Sequence, residues 1–132
     1  MLAFCRLSAC IVSVRAQHNI YDQAWYNGLS ATAQSQYDHL AEDITQKKTE
    51  DHYSGFGPIF VRAAFHASGT YHKRTNTSEL NGGNFRHRTE MEHSSNNCLD
   101  TATAELEKLA LKNQVSFADT VAIAASLGLQ EM

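Results

Sequence analysis

The chain has no apolar run long enough to span a bilayer, no alternating pattern that would mark a strand, and no internal repeat. Nor does it carry an excess of one charge. A formal net charge of −3 excludes the basic surplus that holds nucleic acid or an anionic membrane, so neither is expected as a partner. Cysteine is sparse: Cys5, Cys10 and Cys98 form an odd set without metal-ligand spacing. No disulfide framework is expected from them, and a reducing compartment or a matrix with free thiols fits better. Cys98 reads as a small buried residue. With 132 residues there is room for one domain with a modest core and not for two ordinary ones.

Residues 1–17 also lack something: they hold two Arg and two Ser but no acid, and the first acid is Asp22. That bias is the one of a mitochondrial transit peptide, which leaves 18–132 as the folded part. A secretory signal is the rival, since Val14 and Ala16 form a small-residue cleavage site. Against it, Arg6 leaves an apolar run of only eight residues.

What is present is helical periodicity. A polar stretch with Trp25 and Gly28 reads as a loosely packed arm. From Ser30 onward Tyr37, Leu40, Ala41 and Ile44 recur at spacings of three and four, opposite Asp38, Glu42 and Lys48. This predicts a first helix ending near Lys48, with lysines in its last turn. Residues 54–57 predict a turn, and Pro58, the single proline, opens a second helix over 58–67. That helix is apolar on nearly all sides and should be buried, with Gly69 stopping it. A long loop follows through Asn76, Asn81, Gly82 and Gly83 to about Ser95. The basic residues between His72 and Arg88 are interspersed with acids, Gly and Asn, as on a solvated loop. His72, His87 and His93 match no zinc spacing and read as loop histidines. A third helix is predicted over 96–111, with Leu99, Ala102, Leu106 and Leu109 as its apolar stripe. A fourth starts at Ser116, which has the capping-box spacing to Asp119, carries Phe117, Val121, Ile123 and Ala124, and takes Gly128 as its C-cap. The fold class is all-α.

Within the second helix Arg62 and His66 stand four residues apart, so a guanidinium and an imidazole share one face, with Phe65 at its edge. A cation and a titratable base on an apolar helix are costly unless they have partners or chemical work.

Four segments, in order, carry a more specific signal. They are Gly57-Pro58-Ile59-Phe60-Val61-Arg62-Ala63-Ala64-Phe65-His66-Ala67-Ser68-Gly69-Thr70; Asn81-Gly82-Gly83 with Arg86; Glu92-His93-Ser94-Ser95-Asn96-Asn97-Cys98-Leu99-Asp100; and Val115-Ser116-Phe117-Ala118-Asp119. Together they resemble the N-terminal, distal half of a class I haem peroxidase, the group of cytochrome c peroxidase, ascorbate peroxidase and catalase-peroxidase. The resemblance runs from about Tyr37 to the last residue. It implies a haem b cofactor, hydrogen peroxide as substrate and a place in the response to oxidative stress. By the same resemblance His66 is the distal acid/base, which needs a neutral imidazole. Arg62 is the charge that stabilises O–O cleavage. Asn96 accepts a hydrogen bond from the other imidazole nitrogen, and Glu90 is a network carboxylate supporting Asn96. Pro58, Ile59, Arg62 and Phe65 fall where the family meets the haem.

Three departures accompany the resemblance. Class I members mostly carry Trp where this chain has Phe65. The turn over 53–58 looks more like that of cytochrome c peroxidase than of ascorbate peroxidase. Yet Lys47, Lys48 and Thr49 stand in part where that enzyme has an acidic cluster for cytochrome c, which leaves the electron donor, cytochrome c or another, open. Last, the chain stops at Met132, before the region of the family's proximal histidine. The resemblance therefore implies either a peroxidase or a catalytically incomplete half-domain that lacks the axial ligand. His18, His39 and His52 lie outside the distal motif as conceivable surrogates, none with the family's surrounding pattern.

Overall fold

The computed structural model describes residues 21–49, 55–77 and 83–130. The expected leader, His18, His52, residues 53–54 and the pair Asn81 and Gly82 lie outside the described residues, as do the side chains of Lys48 and Thr49. The described residues form six α-helices: α1 Gln23–Asn27, α2 Ala31–Thr49, α3 Gly57–Ser68, α4 Arg88–Met91, α5 Asp100–Asn113 and α6 Phe117–Leu129. Tight 3-10 turns at Asn84–Arg86 and Ser94–Asn96 flank α4. Among the described residues the one strand-like feature is an isolated bridge between His72 and Thr77, so the all-α reading holds.

The core forms where the apolar stripes meet: Leu40 and Ile44 of α2, Phe60, Ala63 and Ala67 of α3, Leu99, Leu106 and Leu109 at and along α5, and Val121, Ala124 and Leu127 of α6. The most extensive pairing is α3 with α6. Gly128 makes it possible, because a Cβ there would lie 2.9 Å from the Gly57 carbonyl oxygen and 3.1 Å from Val61 Cγ2. Gly128 is thus a buried helix-interior residue and not the C-cap expected of it; α6 runs on to Leu129. Its glycine serves close approach of two backbones rather than termination. The other end of α6 follows expectation: the Ser116 hydroxyl oxygen accepts the Asp119 N–H at 3.0 Å.

Four further expectations need correction. First, α3 is not buried all round. Phe60, Ala63 and Ala67 turn inward, while Phe65 is 73% exposed. At 100° per residue, Pro58, Ile59, Arg62, Phe65 and His66 fall on the opposite side. Second, α5 starts at Asp100, four residues later than predicted over 96–111. Cys98 has φ of 68°, a left-handed conformation that no α-helix can pass through, and so Asn96 ends a 3-10 turn instead. Third, Cys98 is exposed. Fourth, the long loop contains α4 and two 3-10 turns, each too short to show a period.

The stretch around Trp25 is also not a loose arm. Tyr21, Trp25, Tyr26 and Tyr37 pack with ring centroids 5.2 to 6.0 Å apart. Tyr26 donates its hydroxyl to both carboxylate oxygens of Asp38, at 2.8 and 2.9 Å. Tyr37 donates to Asp119 Oδ2 at 2.8 Å, and burial together with that bond pushes its phenol up to about 12. α1 is thereby tied to α2, and α2 to α6. Elsewhere Gly83, with φ of 61°, leaves room for the Phe117 ring, whose Cδ1 would stand 2.5 Å from a Cβ. Gln114, with φ of 55°, closes α5 as Val115 N–H reaches the Ala110 carbonyl at 3.1 Å.

Asp43 of α2 accepts from Lys112 Nζ at 2.7 Å and Asn113 Nδ2 at 2.8 Å, joining α2 to the end of α5. Burial pushes its carboxyl up, but the Lys112 and Asn113 hydrogen bonds, the Lys112 charge and His39 outweigh this and hold it below the usual carboxylate range.

Two outcomes follow. Gly128→Ala should lower the free energy of unfolding by about 1–3 kcal/mol, from overpacking against Gly57 and Val61, measured by urea titration. Asp43→Asn should be less stable than the parent at pH 7, by about 0.2–1 kcal/mol given the exposure of Lys112. Because the folded carboxyl titrates below its unfolded value of about 4, its stabilisation is complete above that pH and lost as pH falls through the folded value. The gap between the two urea curves should therefore close on acidification; a gap that persists at pH 2 would refute the assignment.

Candidate functional site

The open face of α3 presents Arg62 and His66 half-buried, one turn apart, with Phe65 beside them. The Phe65 and His66 rings lie 6.0 Å apart at 67°. Pro58, in the first turn, is exposed, and Ile59 is half-buried against the core. Asn96 comes from the second 3-10 turn and is 7% exposed. Its amide bridges two elements: Oδ1 stands 2.7 Å from His66 Nδ1, and Nδ2 donates to the Glu90 main-chain carbonyl at 2.7 Å.

These two contacts determine a tautomer. A carbonyl oxygen can only accept, so the amide nitrogen of Asn96 must face Glu90 and the amide oxygen must face His66. An amide oxygen also only accepts, so the proton of a neutral His66 sits on Nδ1. Nε2 is then left with its lone pair, ready to take a proton. A buried amide with both ends satisfied holds this state without an orphaned polar group.

Arg62 is fixed by the same turn. Its Nη2 donates to the Ser95 carbonyl at 2.7 Å and its Nη1 to the Asn97 carbonyl at 3.0 Å. Both partners are neutral carbonyls, so no carboxylate offsets the guanidinium in these bonds. A fixed positive charge and a base on one open face can move a proton on a small polar molecule and stabilise negative charge that develops there.

Arg62, His66, Phe65 and Asn96 are thus brought together, with Pro58 and Ile59 at the start of the same face. Glu90 enters differently from the expectation: its backbone carbonyl, and not its carboxylate, supports Asn96. Sequence reasoning missed Ser95 and Asn97, which act through main-chain carbonyls and so leave no side-chain signature. His39 lies elsewhere, on α2 near Asp43. His72 bonds Thr75 within its own turn. Lys47, expected near a donor surface, lies 3.5 Å from Glu105. Among the described residues no helix is long and apolar enough to cross a membrane.

No protein-family model matches the chain. Individual proteins do. It is 35% identical over 106 residues to a mitochondrial cytochrome c peroxidase of Candida glabrata, covering 78% of this chain and 29% of that protein. A putative mitochondrial cytochrome c peroxidase of Yarrowia lipolytica is 35% identical over 103 residues, 76% of this chain and 36% of its own. The mitochondrial cytochrome c peroxidase of Neurospora crassa is 34% identical over 122 residues, 82% and 34% respectively. The chain spans about a third of the length of the curated relatives it matches. Sequence relation and helical architecture agree: over about four fifths of its length this chain is homologous to mitochondrial cytochrome c peroxidases, in keeping with its resemblance to the class I haem peroxidases.

Proposed function

We propose that this chain is the peroxide-handling, distal half of a mitochondrial haem peroxidase site, and that the axial ligand of the haem comes from residues outside the matched stretch. The observation that carries the reading is the pair of hydrogen bonds made by the Asn96 amide, which leaves His66 Nε2 as a base one turn from the Arg62 charge. The residues present fit the distal side of a flat apolar cofactor: an exposed Phe65 ring, with Pro58 and Ile59 preceding it and a polar pair beside it. Haem b, when bound there, supplies the electrons that break the O–O bond. Among the described residues no cluster of His, Cys, Asp and Glu could hold a metal ion. The reading of an incomplete half-site is favoured over that of a self-sufficient peroxidase by the extent of the match, about a third of each curated relative.

The chain's own residues then do the following. His66 Nε2 takes the proton from one oxygen of hydrogen peroxide and returns it to the other, which departs as water. Arg62 stabilises the negative charge that grows as the two oxygens separate. Asn96 holds the imidazole in the one tautomer that can act this way. The mitochondrial names of the relatives and the acid-free composition of residues 1–17 support a mitochondrial location, and the peroxidase in those names supports a role against oxidative stress. Cytochrome c as electron donor rests on those names alone.

The test is a haem titration of the purified chain with and without added imidazole as a surrogate axial ligand. The chain alone should take up haem weakly, without saturation, and show no absorbance change on adding peroxide. Imidazole should restore a peroxide-dependent change. His66→Leu should then slow it by about 10²–10⁴-fold, and Asn96→Leu should slow it too, through loss of the tautomer. Stoichiometric haem uptake with a peroxide response and no added ligand would instead mean that a residue of this chain is the axial ligand, and the half-site reading would fall.

A further inference from the structure

Residues 96–99 form a β-turn of a particular type. The Leu99 N–H returns to the Asn96 carbonyl at 3.0 Å. Asn97, in the second position, has φ of −51° and ψ of 136°, and Cys98, in the third, has φ of 68°. These angles are those of a type II turn, whose third position is left-handed and is normally Gly or Asn. Types I and II differ by a flip of the peptide between the two central residues. Here that peptide carries the Asn97 carbonyl, which accepts Arg62 Nη1 at 3.0 Å. The direction of this acceptor is therefore decided by whether residue 98 is left-handed.

We infer that Cys98 is a positioning residue: its left-handed backbone turns the Asn97 carbonyl toward Arg62, and so sets where the guanidinium charge stands relative to His66. Its exposed thiol takes no part. The turn supplies both catalytic side chains with their partners, Asn96 Oδ1 to His66 and the Ser95 and Asn97 carbonyls to Arg62. Arg62 and His66 are consequently located by one short segment, in addition to sharing α3. If residue 98 returned to negative φ, the turn would relax toward type I and the Asn97 carbonyl would swing away. Arg62 would keep only the Ser95 carbonyl and gain rotational freedom. The inference rests on the reading of Arg62 as the charge that meets peroxide, but the clamp itself can be observed without haem or turnover.

The experiment is ¹⁵N NMR of the full chain, following the guanidinium signals assigned to Arg62 by their loss in Arg62→Lys. In the parent, two carbonyl bonds should hinder rotation and give separate Nη1 and Nη2 signals. Cys98→Gly and Cys98→Asn, which both accept the left-handed region, should keep them separate. Cys98→Val, β-branched and ill-suited there, should merge them into one averaged signal while the His66 Nδ1–H signal persists. Cys98→Thr serves the same purpose should the valine variant fail to fold. Rescue by Gly and Asn but not by Val or Thr distinguishes backbone positioning from thiol chemistry. A single averaged Arg62 signal in the parent, or separate signals retained in a folded Val or Thr variant, would overturn the inference. Failure of the peroxide assay with these signals intact would instead count against the function proposed for Arg62.

Discussion

The Asn96 side chain cannot be turned over without breaking two hydrogen bonds at once. Its nitrogen meets a carbonyl that only accepts, and its oxygen meets a ring nitrogen that must then donate. Reversal would place two acceptors face to face at the Glu90 end and two donors at the His66 end unless the imidazole changed tautomer, and an unsatisfied buried polar atom costs about 1–3 kcal/mol. This single orientation joins α4, through Glu90, to the 3-10 turn and to α3. The irregular segment over 84–99 owes much of its path to that constraint. Around it, Gly83 admits Phe117, and Phe85 and Arg86 pack on the same ring, with centroids 5.5 Å apart and the guanidinium carbon 5.0 Å from the ring centre. The loop is thus held at both ends by specific contacts and in the middle by an amide.

α3 answers two demands that pull in opposite directions. Its inner side must pack tightly enough to hold the helix, and the contact of Gly57 with Gly128 brings it against α6. Its outer side must stay uncovered by the described residues for Arg62, Phe65 and His66 to act on anything. A helix that is apolar on both sides satisfies the first demand with one half of its surface and leaves the other as a site. The exposed Phe65 is the visible result: an aromatic ring that lies outside the core of the described residues.

Much of this was legible from residue order. The stripe of Leu40 and Ile44, the proline in the first turn of α3, and Ser116 ahead of α6 each carry a local signal that the fold obeys. The pairing of Arg62 with His66 followed from helical spacing, and Asn96 came from the family resemblance. What stayed hidden was of another kind. Cys98 adopts a backbone conformation that composition does not favour, and so α5 began later than its leucines suggested. Gly128 had the look of a terminator and proved to be a contact. Glu90 was recognised for its carboxylate, whereas its carbonyl is used. Ser95 and Asn97 act through the main chain, where all residues but proline look alike. Tertiary requirements of this sort override local preference, and nothing in the order of side chains announces them.

Trp25 is the only indole in the chain, 45% exposed and edge-on to Tyr37 at 5.2 Å. It belongs to α1, and its surroundings are made by α2 and the Tyr37–Asp119 link to α6. Its fluorescence therefore reports the docking of the first helix. Loss of the amino-terminal packing can thus be followed through emission from a single position, without an added label.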